Sequence, residues 1–101
     1  METLHLNLKK KWFDMILSGK KKEEYRSLSD YWKTRFQKVR AECLKTITFS
    51  NGYSKDRRQM VVKIKYISIR CGIAEWGAEP DIVYFVSHLG DVLSTVNCSS
   101  S

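Results

Sequence analysis

The sequence predicts a small α+β domain, with two helices in its first half and then mostly antiparallel strands that close, or nearly close, into a barrel. Three observations carry this. The apolar spacing switches between periods of 2 and 3.6 before residue 45, which, with 21–26 read as extended by context, gives strand, helix, strand, helix. After Asn51-Gly52, a strong hairpin signal, the chain is β-rich to its end. Within 60–70 the apolar side chains change face, the mark of the bulge or bend that a barrel needs.

The elements follow in order. Leu4, Leu6 and Leu8 alternate with His5 and Asn7, a short strand with one apolar face. Trp12, Phe13, Ile16 and Leu17 then share one face of a helix over 9–18, and Gly19 suits its left-handed cap. Residues 21–26 read as extended. Ser29-Asp30 caps a second helix over 30–39, whose apolar face is Tyr31, Trp32, Phe36 and Val39. Ile47 and Phe49 mark a strand over 45–50. A basic loop over 53–59 leads to a strand over 60–70, where Val62, Ile64 and Tyr66 share one face and Ile67 and Ile69 take the other. Residues 72–80 are a loop, 82–88 a strand and 92–96 a last short strand after a turn at Leu89-Gly90-Asp91. That makes six strands. The domain core spans about 4–96, and 97–101 is expected to fray.

Composition narrows the function. A chain of 101 residues that is 43% hydrophobic and 12% aromatic suits a single globular domain, 1–101. No apolar run approaches the roughly 20 residues of a membrane span, and Met1-Glu2-Thr3-Leu4 does not open like a secretion signal. Cys43, Cys71 and Cys98 are odd in number and widely spaced, and His5 and His88 stand alone, so neither a zinc site nor a disulfide framework is expected. Reduced cysteines without a secretion signal fit the cytoplasm. No Gly-rich phosphate loop follows a strand, and neither a metal nor another cofactor is expected.

Charge is the most informative property. The net charge is +7. All 18 basic residues lie in 1–70 with 7 acidic ones, which leaves that stretch at +11, whereas 71–101 carries −4. Such a lopsided chain points to a polyanionic partner, most often nucleic acid.

The densest polar stretch is Gly19-Lys20-Lys21-Lys22-Glu23-Glu24-Tyr25-Arg26. If extended, it sends Lys22, Glu24 and Arg26 to one side and Lys21, Glu23 and Tyr25 to the other. One set faces inward in a closed barrel, where an unpaired charge would be costly. The alternative is a solvated charge run on an edge strand.

Gly19, Lys21, Glu24 and Arg26 reproduce the G-x-K-x-x-E-x-R motif of the ASCH domain family, a branch of the PUA-like superfamily, and the chain resembles that family over about 4–96. The helix Lys11-Trp12-Phe13-Asp14-Met15-Ile16, Tyr31-Trp32 with Arg35, Asn51-Gly52-Tyr53, Trp76-Gly77, Tyr84-Phe85-Val86 and Leu89-Gly90 extend the resemblance. The spelling is most similar to small single-domain members from bacteria and phages. The resemblance implies a six-stranded β-barrel with helices beside it and a cleft along the motif strand. It also implies RNA binding, or hydrolysis of N4-acetylcytidine or RNA, since activities of both kinds are attributed to members. In the amidohydrolase members Lys21 matches the catalytic lysine, but Glu24 stands where they carry threonine, and neither Glu75 nor Glu79 matches their glutamate.

The expected function is therefore binding of RNA or a nucleotide-like ligand in a basic cleft. Lys21, Arg26 and Arg35 would meet phosphate, Glu24 would hold Arg26, and Trp32, Tyr53 and Trp76 would stack on bases. The alternative is a small hydrolase acting on a modified nucleoside or RNA, with Lys21 and Glu24 catalytic. A protein-interaction module meeting an acidic partner is the third reading. Lys55, Arg57 and Arg58 form a phosphate clamp or merely solvated charge. His88 has no carboxylate near it in sequence and reads as structural. Trp12 and Phe36 read as core, and Asn51 as a turn residue.

Overall fold

A computed structural model describes residues 3–98. It is an α+β fold built on one five-stranded mixed sheet with two helices. The elements are β1 (Leu4–Leu8), α1 (Lys10–Leu17), β2 (Glu23–Ser27), α2 (Asp30–Ala41), β3 (Thr46–Asn51), β4 (Arg58–Cys71), a 3-10 turn (Ala74–Trp76) and β5 (Val83–Val96). The sheet order is β1-β3-β4-β5-β2. β1 runs parallel to β3, and every other pairing is antiparallel.

Three expectations are corrected. The last two expected strands are one: β5 runs unbroken through Leu89-Gly90-Asp91. Gly90 is not a turn residue but a close-approach residue, since a Cβ there would lie 3.3 Å from that of Lys63 on β4. The barrel also stays open. β1 and β2 are the two edges of a curled half-barrel rather than neighbours in a closed six-stranded one. Finally, of the tail expected to fray, Asn97 donates to the Arg57 carbonyl at 3.3 Å and the Cys98 thiol to that of Gln59 at 3.3 Å. Residues 99–101 lie outside the described part.

The bend expected in 60–70 is present. The register between β4 and β5 shifts at Val61/Val62, Val62/Ile64 and Ile64/Tyr66. These bulges let one long strand serve two partners: its first part pairs with β3 while its second part pairs only with β5.

The core fills the inner face of the curl. Leu4, Leu6 and Leu8 of β1, Ile47 and Phe49 of β3, Met60 and Val62 of β4, and Phe85 and Leu89 of β5 are buried there. Phe13 and Ile16 of α1 and Phe36 and Val39 of α2 cover them, and the Phe36 and Phe85 rings lie 4.8 Å apart. Trp12, expected in the core, is half-buried at its margin. On the outer face a smaller cluster of Tyr25, Val86 and Ala78 packs against Trp76 and Tyr84. Gly72 is required there, because a Cβ would fall 2.6 Å from the Tyr25 ring.

Two glycines set the ends that frame the site. Gly19 takes φ +83° and donates to the Ile16 carbonyl, which stops α1 and turns the chain into β2. Gly52 takes φ +86° after β3, and Asn51 beside it donates to the Leu8 carbonyl at 3.0 Å. Asn7 in turn donates to the Gly52 carbonyl, so the end of β1 is tied to this turn. Among the described residues no helix is long and apolar enough to cross a membrane.

Candidate nucleic-acid interface

The open seam between the sheet edges holds a cavity of about 750 Å³. β1 supplies Asn7 to its wall, β2 supplies Arg26, and α2 supplies Tyr31, Trp32 and Arg35. Tyr53, Arg57 and Gln59 come from the basic loop and the start of β4. Lys9, Arg26, Arg35 and Arg57 give it four cations, and no acidic residue lines it. Three aromatic rings lie among those cations.

Local geometry presents these groups. Ser29 caps α2 by accepting from the Trp32 backbone N–H, which fixes the first turn against the seam. Tyr31 and Trp32 then meet edge to face at 4.9 Å. The Arg35 guanidinium lies 4.4 Å from the Tyr31 ring and 5.9 Å from Trp32, while that of Arg26 covers Trp32 at 4.9 Å. Arg26 also bridges the seam, donating from Nη2 to the Asn7 carbonyl at 3.0 Å. Tyr53 is 88% exposed and has its ring free to stack.

Behind Arg26 the motif continues into the protein. Glu24 lies 3.6 Å from Arg26 Nη2 and 3.5 Å from Lys21 Nζ. Lys21 is only 1% exposed. Its ammonium is 5.0 Å from the Trp12 ring and 4.9 Å from the Tyr25 ring, and it donates to the Trp76 carbonyl. Burial pushes the Lys21 amine below the usual lysine range, against the pull of the Glu24 carboxylate. Glu24 Oε1 accepts from the Tyr25 N–H at 2.9 Å. Glu24 Oε2, Arg26 Nε and Ser87 Oγ are buried without a hydrogen-bond partner among the protein's groups. Ser87 sits directly across from Glu24 in the ladder, so these three lie on one inner row.

Of the seven residues singled out from sequence, four share the cavity: Arg26, Trp32, Arg35 and Tyr53. Lys21 and Glu24 form the buried support of Arg26 and do not line it. Trp76 lies on the other side of Lys21, half-buried over the outer cluster. The charge run is therefore only partly solvated: Lys20 and Lys22 are exposed, but Lys21, Glu23 and Glu24 are buried. The sequence reading missed Tyr31, which reads as part of the apolar face of α2, and Lys9 and Gln59, whose places depend on how β1 and β4 reach the seam. Arg57 joins the cavity as the basic loop allowed, whereas Arg58 turns away to pair with Asp14 at 2.7 Å.

A larger groove of about 980 Å³ between α2 and β4 contains none of the seven. Phe36, Val39, Leu44, Ile64 and Ile67 give it an apolar lining. Among the described residues no three His, Cys, Asp or Glu side chains converge as a metal site would require. Comparison of the chain with protein-family profiles, curated proteins and solved structures finds no match in any of the three.

Proposed function

We propose that this chain is a PUA-like domain of the ASCH type that binds single-stranded RNA, or a nucleotide-like ligand, in the seam cavity. One observation carries the reading: four cations and three aromatic rings converge on a cavity without a carboxylate. Cations supply sequence-independent attraction to phosphate, and rings supply faces on which unstacked bases rest. A seam only one side chain wide at Arg26 suits a single strand better than a duplex, whose paired bases present no free faces.

The test is the affinity of a short labelled single-stranded RNA at two salt concentrations, for wild type and for Arg35→Ala with Arg57→Ala. These side chains lie toward the surface, so the fold is expected to survive their loss. The reading requires affinity that falls with salt and a slope that shrinks by about one per lost phosphate contact. Equal binding by wild type and the double variant overturns it.

One observation favours the hydrolase as a second reading. The Glu24 carboxylate keeps a buried oxygen without a hydrogen bond beside an amine whose pKa burial lowers. A general base beside an amine of lowered pKa is an arrangement that a deacylation can use. Release of acetate from N4-acetylcytidine that stops in Glu24→Gln while RNA affinity is unchanged would select this reading.

A further inference from the structure

The outer face of the sheet carries a cluster that the seam cavity does not use. Three neighbouring strands bring Ser68 of β4, His88 of β5 and Glu23 of β2 together. The ladder fixes the arrangement: His88 is directly opposite Glu23 on one side and Tyr66 on the other. Ser68 Oγ lies 2.8 Å from His88 Nε2, and His88 Nδ1 lies 3.5 Å from Glu23 Oε2. Hydroxyl, imidazole and carboxylate thus stand in the order of a hydrolytic triad.

The surroundings hold each member in its role. A carboxylate beside Nδ1 favours the tautomer with its proton there, which leaves the Nε2 lone pair facing the serine. Tyr66 stacks on the imidazole at 3.9 Å and restrains the ring. Glu23 cannot swing away, because Tyr25 donates to its Oε1 at 2.7 Å and Arg70 pairs with its Oε2. Tyr25 is itself held by the Ile73 N–H. Burial, then the cations of Arg70 and Lys65, push the His88 pKa down against the pull of Glu23, so the ring is neutral at neutral pH. Ser68 is half-exposed, so an acyl group can reach it.

We infer that Ser68, His88 and Glu23 form a second reactive site, which takes small activated esters and becomes acylated on Ser68. Ser68 Oγ bonds to the ester carbonyl carbon as its proton passes to His88 Nε2. The bond to the leaving oxygen then breaks, and the alcohol departs with that proton. Water attacks the acyl-serine with His88 again taking the proton, and the carboxylic acid leaves as Oγ is reprotonated. Ser68 stands inside a strand, not at a turn or helix N-terminus that would aim a pair of N–H groups at the tetrahedral oxygen. Each such donor is worth about 10²–10³ in rate, so turnover is slow and the acyl-serine accumulates.

The test uses the intact protein and p-nitrophenyl acetate. The expected result is a burst of about one nitrophenolate per chain, with the acetyl group mapped by mass spectrometry to the peptide that holds Ser68. Ser68→Ala, at a half-exposed position where the fold is expected to persist, should lose that burst and that label. The rate of labelling should rise with pH and level off above 6.5, the ordinary histidine value, because the base is an imidazole of lowered pKa. A burst of equal size in Ser68→Ala, or acetylation confined to lysines, overturns the inference.

Discussion

Glu23 and Glu24 are consecutive residues of one edge strand, and both are buried, yet they live in opposite chemical states. Glu23 points to the outer face. Its oxygens are engaged by Tyr25, Arg70 and His88, and the network is closed. Glu24 points inward and has two cations at 3.5 and 3.6 Å, but only the Tyr25 N–H as a hydrogen-bond donor. The buried side-chain atoms without a hydrogen bond, among the described residues, are Glu24 Oε2, Arg26 Nε and Ser87 Oγ, all on this inner row. A saturated network holds its members in place, whereas an unsaturated one costs stability and calls for an explanation. The inner row leads through Arg26 to the seam cavity, where the proposed binding is placed.

The largest effect should come from breaking the inner row. Lys21→Ala leaves the buried Glu24 carboxylate with Arg26 as the one cation beside it, and urea unfolding should show a loss of about 3–5 kcal/mol. Adding Glu24→Gln should recover part of that loss, because the buried charge goes with it. Losses that simply add would break the comparison.

The two glutamates can also be set against each other. Glu23→Gln removes a charged acceptor from Arg70 and should cost about 1.5–3 kcal/mol. Glu24→Gln takes the counter-charge from the buried Lys21 ammonium and from Arg26, and should cost more, about 3–5 kcal/mol. Thermal unfolding of the two variants side by side checks the order.

Sequence made part of this visible. β1, α1, α2 and β3 could be read from apolar period, Gly19 and Ser29, whereas β2, charged and buried on both faces, could be placed only by its context. The continuity of β5 could not, since Leu89-Gly90-Asp91 has turn composition and only the approach of Lys63 explains the glycine. The sheet order could not be read either, because the parallel pairing of β1 with β3 joins residues more than forty apart in the chain. In the site, Arg26, Trp32, Arg35 and Tyr53 were legible as residue types suited to RNA. Strand alternation allowed one set of the charged run to face inward, but burial of both Glu23 and Glu24, on opposite faces, was not legible, because it depends on what covers each face. Glu23 and His88 are partners only through the pairing of β2 with β5, so His88 seemed isolated.

Smaller effects refine the cavity side. Tyr53→Ala should weaken RNA binding by about 1–3 kcal/mol if its ring stacks on a base. The same change should leave stability within about 0.5 kcal/mol, since the side chain is exposed. Anisotropy titration and thermal unfolding of one preparation separate the two.

The smallest effect belongs to the outer row and to pH. His88 holds its proton more weakly in the folded chain than at its ordinary value of 6.5, so the unfolded chain takes up a proton first as pH falls. Its contribution to stability is therefore complete above 6.5 and is lost as pH drops through that range. Unfolding midpoints between pH 7 and 5 should fall, and His88→Asn should flatten that slope.

The most direct test of the division between the two faces is a titration of single-stranded RNA followed by amide and indole chemical shifts. The account predicts that Arg26, the Trp32 indole, Arg35, Tyr53 and Arg57 move together while Ser68 and His88 stay still. Shifts centred on the outer row, or none at all under low-salt conditions, would contradict it.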